Sequence, residues 1–236
     1  ISRKSTNEKF AFASPWSFPQ FSVLMPELAG TLPRKQVANG IVDAFIHVIE
    51  QYLTYPANAP LQDRFAEGIL LTLIETGPVV YANPADYDAM ANLMWSATMA
   101  LNGLIGSGVP GDWSVHSIGH EITCLHGVDH GRTLAIVLPG LWKVLREEKK
   151  EKLLQYAARV WDIRSGSEDE RIDEAIRKTE EFFESLDVPV KLSAYDIGQE
   201  SIDEIVERFR ARRWLRLGDR GLTTPEVTKK ALETQL

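Results

Sequence analysis

The sequence predicts a mainly α-helical protein with a short β segment at its start. From residue 33 onward, apolar residues recur at helical spacing in one segment after another. Before residue 33, Pro15, Pro19 and Pro26 interrupt short apolar runs, as is typical of strands and loops. We therefore divide the chain into residues 1–32, which are strand- and loop-like, and residues 33–236, which are helical.

The first twelve residues, ISRKSTNEKFAF, predict a strand, a polar turn at residues 5–8 and the start of a second strand. A run of apolar residues at 21–25 extends the strand-like region. An isolated two-stranded hairpin is only marginally stable in water. We therefore expect that the rest of its sheet precedes residue 1 and that the chain is part of a longer protein.

Proline and capping residues mark the helices. Pro33 suits the first turn of a helix that Pro56 ends, and Asn83 followed by Pro84 predicts an N-cap with proline at the first helical position. Ser167 with Glu170 predicts a capping box, and Thr224 with Pro225 repeats the Asn-Pro arrangement. The predicted helices span about residues 33–55, 61–75, 84–104, 115–124, 132–146, 150–162, 168–186, 201–213 and 225–234.

Composition narrows the class of partner. The net charge of −7 and the pI near 5.3 disfavour nucleic-acid binding, so we expect no nucleic-acid partner. We find no apolar stretch of the eighteen residues that a membrane-spanning helix requires, and we expect no membrane partner. The single cysteine, Cys124, fits a reducing cytosol and predicts a cytoplasmic location.

All five histidines fall in two places. His47 lies four residues after Asp43 in a helical segment, and this spacing puts both side chains on one helix face. His116 and His120 repeat the same spacing. The other four histidines share one fifteen-residue window and are His116, His120, His126 and His130. Imidazoles and a carboxylate brought together from separate helices predict a divalent metal site.

The spacing alone leaves the ligand set open. Asp43 is flanked by apolar residues, so it is expected to be buried, and a buried carboxylate needs a partner. A metal bound by Asp43 and His47 has room for about two more protein ligands. His116 with His120 is the natural pair on spacing, and His130 is a third choice. His126, beside Gly127, is the candidate for a solvent-exposed histidine.

Two other features have simpler interpretations. The glycine-rich stretch 103–111 leaves a helix rather than a strand, so it predicts a connector and not a phosphate-binding loop. Cys124 lies close to the histidines, but a cysteine inside a helix is usually a small buried apolar residue.

The motifs together resemble a known family. The segment TLPRKQVANGIVDAFIHVIEQY is followed about seventy residues later by HxxxH and then by His130 and Gly131. This pattern resembles the iron-activated (group III) alcohol dehydrogenases, in particular the NADPH-dependent aldehyde reductase and butanol dehydrogenase branch. QDRFAEGILLTLIE and ALNGLIGSGVP are similar to that branch as well.

The resemblance implies an architecture and a site. Family members have an N-terminal dinucleotide domain and a helical metal domain, so residues 33–236 would be the metal domain and residues 1–32 a remnant of the first. His120 would be a catalytic residue beside the nicotinamide and part of the proton path. The implied metal ligands are Asp43, His47, His116 and His130.

The resemblance also implies a reaction. It is reversible hydride transfer between a primary alcohol and an aldehyde with NADP(H), assisted by a metal acting as a Lewis acid. Three imidazoles and one carboxylate suit Fe(II) and Zn(II) almost equally. Lys9, Leu28 and Thr31 match cofactor-contacting positions. The family's pyrophosphate loop is absent from this sequence, so we expect the chain alone to be inactive and, with an uncovered apolar face, to form a homo-oligomer.

Two alternatives stay open. One is a helical metal-dependent hydrolase, which needs a further carboxylate as base; only Glu121 and Asp129 lie near the histidines in sequence. The other is a metal-binding module without catalytic activity.

Overall fold

The computed structural model describes all 236 residues and confirms the mainly α-helical class, with ten α-helices and one small sheet. Strand β1 (Ser2–Arg3) pairs antiparallel with β2 (Glu8–Lys9), with Ser2 opposite Lys9. The helices are α1 (Pro26–Ala29), α2 (Arg34–Tyr52), α3 (Pro60–Ala82), α4 (Tyr87–Leu101), α5 (Ser114–His126), α6 (His130–Val144), α7 (Lys150–Val160), α8 (Glu168–Ser185), α9 (Gln199–Ala211) and α10 (Pro225–Glu233).

Helix α2 lies at the centre of the fold. Most of its residues are buried, and it packs against α3, α4 and α6. Phe45 of α2 is fully buried and lies in edge contact with Phe183 of α8, with ring centroids 5.4 Å apart. Burying one such ring contributes roughly 1.5–3 kcal/mol. The helix that carries Asp43 and His47 is therefore held rigidly by its neighbours.

The structure confirms the hairpin and two of the three predicted caps. Ser167 and Glu170 form the capping box of α8, and the Thr224 hydroxyl accepts the Val227 N–H at the start of α10. No strand forms at residues 21–25. The prediction that Asn83 caps a helix is wrong. Asn83 follows the last residue of α3, and Asp86 caps α4 by accepting the Ala89 N–H at 3.0 Å.

Helix α3 runs seven residues past its predicted end and contains Pro78. A proline inside a helix removes one hydrogen bond and normally breaks the helix. Here Gly77 packs closely on Ile41 of α2, and Val80 is fully buried. The burial of these last turns outweighs the local cost of the proline.

The statement that the chain has no apolar stretch long enough to span a membrane needs correction. Helix α3 has 23 residues and a mean hydropathy of 1.3 over its most apolar stretch, so by length and composition it could cross a membrane. The core helix of a soluble protein can pass the same test. Helix α3 packs against α2, α4 and α7.

Candidate metal centre

Helix α2 brings three polar side chains to one face. Asp43, His47 and Glu50 are spaced i, i+4 and i+7, which places them within about 60° of one another around the helix axis. His47 Nδ1 lies 2.8 Å from the main-chain oxygen of Asp43, so Nε2 is the nitrogen left for a ligand. The expectation that Asp43 is buried is only partly met, because 35% of its side chain is exposed. Its Oδ1 atom is buried and has no hydrogen-bond partner.

Helix α5 begins against this face. Trp113, which precedes α5, has a left-handed backbone conformation with φ of 60° and gives the helix no side-chain cap. Glu50 supplies it instead: its carboxylate accepts the Val115 N–H at 2.7 Å and the His116 N–H at 3.2 Å. Glu50 also contacts His116 Nδ1. His116 Nε2, on the other side of the ring, is buried without a partner.

Helix α6 brings the third ligand candidate. His130 is its first residue, and Asp129 just before it is held by Lys35 at 2.7 Å and by the Asn39 amide at 3.2 Å. Gly131 packs directly on the main chain of Asn39, where no side chain would fit. This close approach of α6 to α2 puts His130 Nε2 at 3.6 Å from Asp43 Oδ1.

These residues form a cluster that fits a metal ion. Asp43, His116 and His130 each offer a ligand atom, and these atoms lie within 4.8 Å of one another. Each of the three also has a buried polar atom without a hydrogen bond. These atoms are Asp43 Oδ1, His116 Nε2 and His130 Nδ1. Buried polar atoms are normally satisfied, so three unsatisfied atoms on neighbouring side chains fit a site that binds a polar or cationic ligand. One carboxylate and two imidazoles suit Zn(II) or Fe(II).

The fourth predicted ligand lies beside this trio. The His47 ring centroid is 4.3 Å from that of His116, but His47 is not part of the compact set. His120, which spacing favoured over His130, is also outside it, with its ring 4.9 Å from His130. Ligation by Asp43, His47, His116 and His130 stays a prediction.

Burial keeps the imidazoles neutral. It lowers the pKa of His116 and of His120 to about 4, and it lowers the pKa of His47 and His130 as well. Burial also raises the pKa of Glu50 to about 8, and the N–H groups of Val115 and His116 oppose that rise. A metal requires unprotonated nitrogen, so histidines with a low pKa bind it with little competition from protons.

The cluster opens into a cleft of about 830 Å³, a volume suited to a small substrate together with part of a cofactor. His120 lies on its wall. Sequence reasoning missed the aromatic walls, because their residues come from distant parts of the chain. These walls are formed by Phe10, Phe12, Phe18, Trp113 and Trp214.

The hairpin places Lys9 near the centre. Strand β2, which carries Lys9, packs against α5, the helix that carries His116 and His120. After burial, the Lys9 charge is the largest cause of the low pKa of His120 and of His130. The hairpin is tied to α5 and α9: Arg208 bonds the Asn7 main-chain oxygen and also Glu121. The position of Lys9 agrees with its predicted role at the cofactor, which remains a prediction.

The remaining candidates lie elsewhere. Leu28 and Thr31 belong to the α1 region and do not line the histidine cleft; Thr31 lines a separate pocket of about 270 Å³ against the start of α4. His126 is the last residue of α5 rather than a loop residue, and it is exposed, as expected. Cys124 is only half-buried.

Neither carboxylate that a hydrolase could use as base faces the cleft. Glu121 is fully buried and paired with Arg208 and Arg212, and Asp129 is paired with Lys35. Neither residue lines the cleft. The hydrolase alternative therefore lacks its base in this site.

Comparisons with known proteins agree with this geometry. Residues 37–228 match the C-terminal model of the Fe-containing alcohol dehydrogenase family. The chain is 54% identical over 233 residues to the NADPH-dependent aldehyde reductase YqhD of Escherichia coli K12, covering 99% of this chain and 60% of that protein. It is 36% identical to the probable NADH-dependent butanol dehydrogenase 1 of Bacillus subtilis, covering 89% and 55% respectively.

Solved structures of family members are also similar to this chain. The crystal structure of E. coli YqhD superposes with a TM-score of 0.98 at 53% identity, over 100% of this chain and 60% of that one. The NADH-dependent butanol dehydrogenase A of Thermotoga maritima gives 0.91 at 30% identity, over 100% and 61%. The chain thus spans about 60% of the length of these relatives.

Proposed function

Because the chain belongs to the Fe-containing alcohol dehydrogenase family, we propose that it carries the metal-binding side of an enzyme that interconverts aldehydes and primary alcohols with NADP(H). The observation that supports this most strongly is the cluster of Asp43, His116 and His130, each with an unsatisfied buried atom, beside a large cleft that both histidines line. NADP(H) is favoured over NAD(H) because the relative at 54% identity is named NADPH-dependent.

The residues of the chain have distinct roles in this proposal. Asp43, His116 and His130 hold the metal, with His47 beside them as the fourth ligand. When bound, the metal polarises the substrate oxygen, and the nicotinamide gives or accepts the hydride. The neutral imidazole of His120, on the cleft wall, exchanges the proton of the alcohol oxygen with solvent.

The cleft walls define the class of substrate. Phe10, Phe12, Trp113 and Trp214 line the cleft together with the histidines and give it an apolar wall. They offer an apolar surface without a charged anchor, so the substrate is a small uncharged aldehyde or alcohol. Lys9 directly precedes Phe10, which lines this space, and is proposed to meet the cofactor.

Metal analysis of the purified 236-residue chain, after reconstitution with Zn(II) or Fe(II), tests the site. We expect one metal per chain, and we expect Asp43→Ala to lose it. Asp203→Ala on α9 is the matched control, because Asp203 is an exposed helical aspartate paired only with surface groups. Equal metal content in wild type and Asp43→Ala contradicts the proposed ligands.

The activity is tested on a longer parent protein that includes a dinucleotide domain. We expect oxidation of NADPH with a short aldehyde, and loss of that activity in Asp43→Ala. A parent that hydrolyses esters or phosphates and ignores NADPH contradicts the proposed function.

Self-association and a cytoplasmic location remain predictions. Large apolar side chains stand exposed along the segment after the hairpin, including Trp16 at 96%, Phe21 at 81% and Phe18 at 71%. Such a surface favours burial against another protein surface. Sedimentation velocity of the chain is expected to show dimers or larger species, and a monomer at micromolar concentration contradicts that expectation.

A further inference from the structure

Glu50 is a buried carboxylate that none of the predicted roles uses. It lies three residues beyond His47 on the metal-facing side of α2, and it is only 2% exposed. Burying a carboxylate is costly unless its oxygens receive hydrogen bonds. The groups that donate hydrogen bonds to the Glu50 carboxylate therefore indicate its role.

Both oxygens of Glu50 receive hydrogen bonds from the first turn of α5. Oε1 accepts the Val115 N–H at 2.7 Å, and Oε2 accepts the His116 N–H at 3.2 Å. The first N–H groups of a helix have no partner within the helix. Glu50 thus caps α5 from a different helix and joins the element carrying Asp43 to the element carrying His116.

The third contact of Glu50 decides the chemistry of the His116 ring. Oε2 also meets His116 Nδ1. Although burial raises the pKa of Glu50, both of its oxygens already accept main-chain N–H groups, an arrangement that favours the ionised carboxylate. An ionised carboxylate can only accept hydrogen bonds, so Nδ1 must be the ring nitrogen that carries the proton. Nε2 then has a free lone pair, and it is the buried atom without a partner beside Asp43 and His130.

We propose that Glu50 is a positioning residue of the metal centre. It fixes His116 as the Nδ1–H tautomer and orients the ring so that Nε2 faces the metal. A carboxylate behind a metal-bound histidine restricts the ring and raises its basicity as a ligand. This inference rests on the proposed metal-binding function.

The first test needs no metal. The ¹⁵N chemical shifts of the His116 ring, measured by NMR in the metal-free wild-type chain at neutral pH, report which nitrogen is protonated. We expect the Nδ1–H tautomer. The Nε2–H tautomer, which a protonated Glu50 donating to Nδ1 would produce, overturns the proposal, even if Glu50 variants fail to fold.

The second test uses Glu50→Gln, which keeps the size of the side chain but gives it an amide N–H that can donate to Nδ1. We expect the His116 tautomer to shift toward Nε2–H. We also expect Zn(II) to bind roughly 10- to 100-fold more weakly, measured by competition with a chelator, and the visible spectrum of the Co(II)-loaded chain to change. Glu67→Gln is the matched control, because Glu67 is a buried carboxylate of α3 that bonds Tyr52 and Arg159 away from the site.

The outcomes separate the two claims. If wild type binds Zn(II) and Glu50→Gln binds it equally well with an unchanged Co(II) spectrum, the role of Glu50 is refuted and the metal site stands. If wild type binds no metal, the proposed function fails, and the positioning role of Glu50 fails with it.

Discussion

Replacing Gly131 with alanine perturbs the metal centre through the backbone rather than through a ligand. Gly131 follows His130 in the first turn of α6 and lies against the main chain of Asn39 in α2. An added methyl group would overlap the Asn39 carbonyl oxygen and lie 3.1 Å from the Asn39 carbonyl carbon and Cα. All three neighbours are backbone atoms and cannot rotate away.

The size of the effect follows from these distances. Carbon atoms in contact prefer a separation of about 3.5–4.0 Å, so the start of α6 must move away by roughly 0.5 Å or more. Overpacking of this kind costs about 1–3 kcal/mol. A functional group must be held within about 0.5 Å of its working position, so His130 leaves the range in which it can complete the metal site. We expect metal affinity to fall about tenfold or more.

Urea unfolding of the metal-free chain measures the stability, and chelator competition measures the Zn(II) affinity. Gly68→Ala is the control: Gly68 lies inside α3, and an added methyl group there would meet no atom within 4 Å. That variant is expected to be more stable than wild type by about 0.5–1 kcal/mol, with unchanged metal affinity. If Gly131→Ala matches wild type in both stability and affinity, the close contact between α2 and α6 does not position His130.

Three further predictions concern protons, metal and the hairpin. Burial lowers the pKa of the ligand His116 to about 4, and it also lowers the pKa of His47 and His130. Zn(II) affinity measured by pH titration should therefore hold down to about pH 5 and fall only as the pH approaches 4; a loss centred near pH 6.5 would mean exposed ligands. Zn(II) at about one hundred times its Kd should raise the free energy of unfolding of the wild-type chain by about 2.7 kcal/mol. An equal rise in Asp43→Ala would exclude the Asp43 carboxylate as a ligand. Arg212 bonds Glu121 and lies over the Phe10 ring. Arg212→Ala should therefore speed amide hydrogen exchange at residues 2–9 and leave exchange in α6 unchanged. Unchanged exchange at residues 2–9 would show that other contacts hold the hairpin in place.

Local sequence signals predicted the helices well wherever side chain and backbone act within one turn. Ser167 with Glu170 and Thr224 with Pro225 are such signals, and both caps form. Asn83 with Pro84 carries a similar signal and failed, because Asp86, three residues on, provides the cap. The continuation of α3 through Pro78 could not be read locally, because it depends on packing against Ile41 of α2.

The candidate site also combines features that the sequence predicted with features that only the fold reveals. The spacing of Asp43 and His47 predicted one helix face, and the histidine cluster predicted a metal site. Spacing favoured His120 over His130, because the position of His130 depends on where α6 meets α2 and spacing cannot show that. Glu50 was missed, although its position three residues after His47 on the same face was a readable signal. Its partner, the start of α5, is 65 residues away in the chain, and only the fold brings the two together.

The central claim is that Asp43, His116 and His130 bind one metal ion between α2, α5 and α6. Anomalous diffraction at the zinc edge, from crystals of the chain reconstituted with Zn(II), tests it directly. We expect a single strong peak about 2.0–2.2 Å from a carboxylate oxygen of Asp43, from His116 Nε2 and from a ring nitrogen of His130. No peak at this position, or a stronger peak elsewhere on the chain, would contradict it.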